Sequence, residues 1–237
     1  MDPLFALVTG GSQGIGKAIA LEFARRGIRL LLVARRQEPL DTAVSEARAL
    51  GVSAEGRAMD LLNDESRARL ISEIDERPSG LDVLVHSAGT IARADLVDAT
   101  VEDFDLQFQA NVRMPFALTK GLLRSLERAH GQVVFVSSSA ALVPRANAGQ
   151  YAATQAGLRA LATSLREEVN TAGIRVTTIF PGRTATPRQA MIHAWENKEY
   201  RPDRLLQPED VAAMVGASIA LPRTAEVTEI SIRPMAR

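Results

Sequence analysis

Hydrophobic and polar positions alternate in blocks along the whole chain. Phe5, Ala6, Leu7 and Val8 form an apolar run that stops at Thr9-Gly10-Gly11, which predicts a buried strand ending in a tight turn. Ile15, Ile19 and Phe23 then recur at four-residue steps, predicting a helix over 15–26 that Gly27 closes. Residues 29–34 are almost continuously apolar, as expected of a strand covered on both faces. A helix over 40–50 stopped by Gly51, a weak strand over 52–59 reaching Asp60, and a helix capped by Asn63 and ended before Pro78 and Gly80 follow. Further strands are predicted over 81–85, 132–136, 174–180 and 229–232. Helices are predicted over 101–129, interrupted only at Met114-Pro115, over 151–171, and over 208–220 with Pro208 in the first turn. Residues 183–207 read as irregular and polar. This regular alternation, without linker or repeat, predicts a single α/β domain over 1–237: a doubly wound parallel sheet with helices on both faces.

Composition narrows the function. Lys and Arg number 28, Asp and Glu 28, so the formal net charge is zero and nothing points to nucleic acid or a membrane surface. The chain has no cysteine, which excludes disulfides and thiol catalysis, and His86, His130 and His193 lack metal-ligand spacing. No secretory leader is visible in residues 1–8 and no apolar run is long enough to span a bilayer, so a cytoplasmic protein is expected.

Three stretches carry chemistry. Gly10, Ser12, Gln13, Gly14, Ile15 and Gly16 lie between the first strand and the first helix, where backbone N–H groups and the helix dipole favour a pyrophosphate. At the end of the second strand, where an acidic residue would bind a ribose diol, stand Arg35 and Arg36; two guanidinium groups there suit a 2′-phosphate instead. Later in the chain, Ser138 follows a strand and Tyr151 opens a helix. A serine hydroxyl and a phenol brought together by the intervening loop can polarise one carbonyl oxygen and exchange a proton with it. Taken alone, the stretch reads better as a serine that ends a strand and a tyrosine that starts a helix; the nucleotide site built by the other half of the chain reverses that preference.

These motifs resemble the short-chain dehydrogenase/reductase family over essentially the full length, and the resemblance implies a Rossmann fold. It rests on Thr9 to Gly16, Asp60, Ser87-Ala88-Gly89, Asn111, Ser138 with Tyr151 thirteen residues later, and Pro181-Gly182 with Thr186 beyond. Ser138 has the family spacing to Tyr151; Ser137 and Ser139 flank it. The resemblance implies that Asp60 and Leu61 contact adenine, that Ala88 and Gly89 lie along the adenosine ribose, and that Pro181, Gly182 and Thr186 border a nicotinamide. It also implies that Asn111 kinks its helix and holds a water on a proton path, and it agrees with NADP(H) as cofactor. His86 and Ser87 stand where the family usually has asparagines.

One departure bears on mechanism. The family places a lysine four residues after the tyrosine; this chain has Gln155. One helical turn puts 151 and 155 on the same face. An ammonium ~6 Å from the phenol at an effective dielectric of ~20 would stabilise a phenolate by about 2.8 kcal/mol. Gln155 can bond a ribose hydroxyl but carries no charge. Donating a proton to a ketone needs the neutral phenol, and oxidising an alcohol needs the phenolate. The expectation is a reduction-biased enzyme whose alcohol oxidation climbs toward alkaline pH. Of the cations near the motifs, Arg183 is a better replacement candidate than Lys17, Lys120 or Lys198.

Two functions remain at this level. The first is an NADP(H)-dependent oxidoreductase acting on a small or medium carbonyl or alcohol, with Ser138, Tyr151, Asn111 and Gln155 at the catalytic centre. The second is a protein on the same fold that binds NADP(H) or another ligand with little turnover. Residues 183–207, with Met191, Ile192, Trp195 and Tyr200, read as a lid. The resemblance further implies a homodimer or homotetramer through the helices at 101–129 and 151–171.

Overall fold

The first strand, β1 (Phe5–Thr9), is paired on both sides, with β2 (Arg29–Ala34) and with β4 (Val83–His86), all parallel. Leu7 faces Leu31 on one side and Leu84 on the other. The computed structural model describes residues 3–235. With β3 (Ala54–Ala58), β5 (Gln132–Val136), β6 (Arg175–Pro181) and β7 (Glu229–Ile232), the sheet has seven strands in the order β3-β2-β1-β4-β5-β6-β7, parallel throughout. The chain builds outward from β1 to β3 and then crosses back to β4. A crevice therefore opens between the carboxyl ends of β1 and β4, where ligands bind in such sheets.

Because successive strand residues point to opposite faces, each strand feeds two cores. Ala6, Val8, Leu30 and Leu32 pack under α1 (Gly14–Arg25), α2 (Gln37–Ala49) and α8 (Pro208–Ile219), against Ile19, Phe23, Leu40, Val211 and Val215. Leu7, Leu31, Val33 and Leu84 face the other way, against Leu70 and Ile74 of α3 (Asp64–Asp75) and Leu118, Leu122 and Leu126 of α5 (Met114–Ala129). Asn63 caps α3 as expected, its side chain accepting from the Ser66 N–H at 2.8 Å. Among the described residues no helix is long and apolar enough to cross a membrane.

Three elements differ from the sequence expectation. The helix expected from 40 starts at Gln37, since Pro39 is tolerated in a first turn that needs no N–H from it. The long helix is not interrupted at Met114-Pro115 alone: α4 (Val101–Phe108) runs into a π-turn, Gln109–Arg113, before α5. Pro115 has no N–H to give to the Asn111 carbonyl, so the helix widens there. Residues 183–207 are not irregular throughout. They contain α7 (Pro187–Trp195), whose N-terminus Thr186 caps by accepting from the Gln189 N–H at 3.2 Å, and a short 3₁₀ turn, Pro202–Arg204. The buried face of α7 is Gln189, Ile192 and His193, so its helical stripe is largely polar and hydrophobic periodicity does not detect it.

Candidate active site

At the carboxyl ends of the strands lies a cleft of about 640 Å³. Its floor is the glycine turn after β1. Gly10 has φ +69°, and a Cβ there would lie 2.8 Å from the Ala88 nitrogen. Thr9 locks the same junction: its hydroxyl donates to the Val85 carbonyl and accepts from the N–H groups of Ser87 and Ala88 at 3.2 and 3.3 Å. Gly10, Ser12, Gln13, Gly14 and Ile15 line the cleft. Gly16 does not. It sits behind the wall, where a Cβ would meet the Gly10 carbonyl oxygen at 2.3 Å, so it sets how closely α1 packs on the turn.

Arg35, Arg36, Asp60 and Leu61 line one end of the cleft. The Arg36 guanidinium donates to Gln13 Oε1 at 2.9 Å, which brings it over the glycine turn, and Asp60 accepts from the Leu62 N–H at 3.0 Å. Bare backbone at a helix N-terminus beside two guanidinium groups is a donor set that fits NADP(H).

The other end holds the hydroxyl groups. Ser138 follows β5, and its Oγ accepts from the Ala140 N–H at 3.2 Å, which leaves its own proton free to donate into the cleft. Tyr151 lies in the first turn of α6 (Gly149–Val169) and lines the same wall. Gln155, one turn further on, is 5% exposed. The Ser137 hydroxyl donates to Gln155 Oε1 at 3.0 Å, so the Gln155 amide nitrogen, which has no partner among the described residues, is the group left for a ligand. Pro181 and Gly182 close the cleft at the end of β6; across it, the Thr186 methyl lies where a Gly14 Cβ would come within 3.2 Å. The Thr186 hydroxyl is itself engaged, accepting from Gln189 and donating to the Thr184 carbonyl at 3.3 Å.

Asn111 stands in the π-turn and lines the cleft, but its side chain is occupied. Its Oδ1 accepts from the Thr90 N–H at 2.8 Å, and its Nδ2 donates to the Thr90 carbonyl at 2.9 Å and to the Thr154 hydroxyl at 3.1 Å. Thr154 in turn donates to the Tyr151 carbonyl at 2.8 Å. Asn111 thus ties the loop after β4, which carries Ala88 and Gly89, to the helix that carries Tyr151. Sequence reading missed Ser137, Thr154 and Thr9 as partners. A hydroxyl's role depends on what stands opposite it, and spacing along the chain does not report that.

Among the described residues no cation bonds to Tyr151 or Gln155 in place of the absent lysine; Arg188, which lines the cleft, donates to the Gly89 carbonyl at 2.6 Å. Arg183, the favoured substitute at the sequence level, does not line the cleft; it donates to Glu196 at 2.6 and 2.8 Å. Arg93 and Lys198 pair with the same carboxylate. Burial pushes the Glu196 carboxyl up, but hydrogen bonds from Arg183, Arg93 and Lys198 outweigh it and hold it at about 2. Glu196 follows α7, Arg93 lies in the loop after β4 and Arg183 follows β6, so the cluster fastens three segments around the cleft. Lys17 pairs with Glu46 at 2.7 Å, and Lys120 is exposed.

His86, at the end of β4, is fully buried, stacked on Phe135 at 5.0 Å and bonded through Nε2 to the Thr119 hydroxyl at 2.8 Å. Burial pushes its imidazole down to about 3. In the unfolded chain it would protonate near ~6.5. Between those values the unfolded chain binds a proton that the folded chain does not. His86 therefore favours the fold fully above ~6.5 and loses that contribution as pH falls toward 3, by at most about 1.4 kcal/mol per pH unit. Urea midpoints at about pH 7 and about pH 5, a window above the titration of Glu196, should differ in the native chain and differ less in His86→Asn. Equal pH dependence in both proteins would refute this.

The family described as short chain dehydrogenase matches residues 4–197. An uncharacterized short-chain type dehydrogenase/reductase of Sinorhizobium fredii is 36% identical over 236 residues, covering 97% of this chain and 90% of that one. A sepiapterin reductase of Chlorobaculum tepidum is 32% identical over 236 residues, covering 96% and 95%. Among solved structures, a variant of actinorhodin polyketide ketoreductase with NADPH superposes with a TM-score of 0.90 at 28% identity, covering 98% and 96%. With the glycine turn, the parallel sheet and the cleft at its carboxyl edge, these likenesses have one reading: the chain belongs to the short-chain dehydrogenase family.

Proposed function

We propose that the protein is an NADP(H)-dependent oxidoreductase that reduces a small or medium carbonyl compound. The observation that carries this reading is the meeting of Ser138 and Tyr151 in the same cleft as the glycine turn and the arginine pair. The NADPH bound to the related ketoreductase structure supports the cofactor. When bound, the cofactor supplies the hydride. The residues of this chain do the rest. The Ser138 hydroxyl, fixed by Ala140, donates to the carbonyl oxygen, and the Tyr151 phenol gives it a proton as negative charge develops there. Gln155, its amide turned by Ser137, offers Nε2 to the ribose hydroxyls. Asn111 holds the two walls in register through Thr90 and Thr154.

The test is NADPH consumption over a panel of ketones and aldehydes, with the native chain and Gln155→Lys side by side. Turnover by both supports the enzyme. Turnover by the lysine variant alone would favour the second reading, a ligand-binding protein on the same fold, for which the uncharged Gln155 is the specific observation.

Cofactor choice is checked separately. Arg35 and Arg36 should make NADPH bind at least about tenfold tighter than NADH, and Arg35→Asp should narrow the gap. Equal affinities in a titration of the native chain would refute it. The same reading includes self-association through α4, α5 and α6, supported by Phe104, Phe108 and Phe116, which stand exposed along the first two.

A further inference from the structure

The roof of the cleft contains a polar pair that the proposed reaction does not use. Gln189, in the first turn of α7, lines the cleft and is only 8% exposed. Its carbonyl oxygen lies 2.8 Å from Nδ1 of His193, one turn further along, and its side-chain nitrogen lies 3.1 Å from the same Nδ1. The two contacts cannot both be hydrogen bonds as placed, because Nδ1 would have to donate to the carbonyl and accept from the amide. The shorter one decides. A ring nitrogen 2.8 Å from a carbonyl oxygen must carry the proton, since two lone pairs at that distance repel. With Nδ1 a donor, the group of Gln189 that faces it has to be the amide oxygen, because amide nitrogen and oxygen are told apart only by such bonds. The NH₂ group is then on the other side of the amide, at the position that has no partner among the described residues, on a side chain that belongs to the lining of the cleft.

His193 is held in that pose. It is 7% exposed and packs edge-on against Tyr200 with ring centroids 5.4 Å apart. Ile192, beside it on the buried face of α7, also lines the cleft, so the Gln189 NH₂ is a polar group next to an apolar wall. The side chain is nine-tenths buried and locked by a buried imidazole, so its unpartnered amide donor can be met only by a ligand or a water in the cleft.

We propose that Gln189, oriented by His193, binds a second oxygen of the substrate, and that the preferred substrates are carbonyl compounds bearing an ester, acid or further keto oxygen close to the carbonyl that is reduced. This rests on the reading of the cleft as a reductase site. His193 acts through Gln189 and is a positioning residue. A site built to hydrogen-bond an oxygen discriminates against the analogue that lacks it, because the buried donor is then left unpaired.

The experiment pairs methyl pyruvate and ethyl acetoacetate with the methyl ketones of the same chain length. NADPH consumption gives KM and kcat for each with the native chain, Gln189→Met and His193→Phe. In parallel, the NADPH-loaded proteins are titrated with the same compounds through the fluorescence of Trp195, the single tryptophan of the chain, which ends α7 and is half exposed. The expected result is a native preference for the ester-bearing compounds, read mainly in KM, that falls about tenfold in Gln189→Met and partly in His193→Phe. An unchanged preference in both variants, with turnover intact, would overturn the role of Gln189 and leave the reductase reading standing. If the native chain reduces none of the compounds, the reductase reading fails. The fluorescence titration then still decides on Gln189: tighter binding of the esters in the native chain alone supports it, and equal binding in all three proteins overturns it.

Discussion

Tyr151→Phe should lower kcat for ketone reduction by about a thousandfold while NADPH affinity stays within about twofold. Phenylalanine keeps the ring and the packing of the first turn of α6 and removes only the hydroxyl. In the proposed reaction that hydroxyl is the group, among the described residues of the cleft, that gives a proton to the alkoxide. Ser138 can donate a hydrogen bond, but surrendering its proton would leave an alkoxide of its own; Gln155 cannot act as an acid at all. The Asn111 side chain is committed to Thr90 and Thr154. The comparison needs steady-state rates together with an NADPH titration. A variant that keeps turnover within tenfold of the native chain would remove Tyr151 from the mechanism.

The second large effect is expected in the opposite reaction. Gln155→Lys should raise alcohol oxidation near about pH 7 by roughly a hundredfold and change ketone reduction far less. Position 155 lies one turn along the same face of α6 as Tyr151 and is almost wholly buried, where a charge is poorly screened. The Ser137 oxygen, now bonded to the Gln155 amide, can accept from the new ammonium. About 2.8 kcal/mol of phenolate stabilisation at ~6 Å corresponds to two orders of magnitude in the population of the base. The sign follows from the proton balance: oxidation consumes phenolate, which the lysine favours, whereas reduction consumes the neutral phenol, abundant in both proteins. Oxidation by the native chain should therefore climb between about pH 7 and about pH 10 more steeply than oxidation by the variant. Parallel profiles would mean that the charge at 155 does not act on the tyrosine.

Both predictions draw on residues that could be picked out without coordinates. Strand and helix periods, the glycine turn after β1 and the arginine pair after β2 follow from short-range backbone geometry, which neighbouring residues dictate, whereas the Ser138–Tyr151 pair is legible only through the family resemblance. Alternation of strands and helices then limits the topology to parallel crossovers, and the crevice at the carboxyl ends follows from where the strand order reverses. What the individual side chains do within that crevice is a different matter. Arg183 stands next to Pro181-Gly182 in sequence, yet Glu196 draws it out of the cleft. Asn111 spends its amide on Thr90 and Thr154, and Gln155 is turned by Ser137. Helix α7 leaves no hydrophobic period because two of its three buried residues, Gln189 and His193, are polar and only Ile192 is apolar. The amino-acid sequence by itself determined the order of elements, the place of the crevice and the chemistry brought to it. Tertiary structure alone decided which polar groups are free to meet a ligand, because a hydrogen bond is settled by the partner within about 3 Å, and that partner comes from a distant part of the chain.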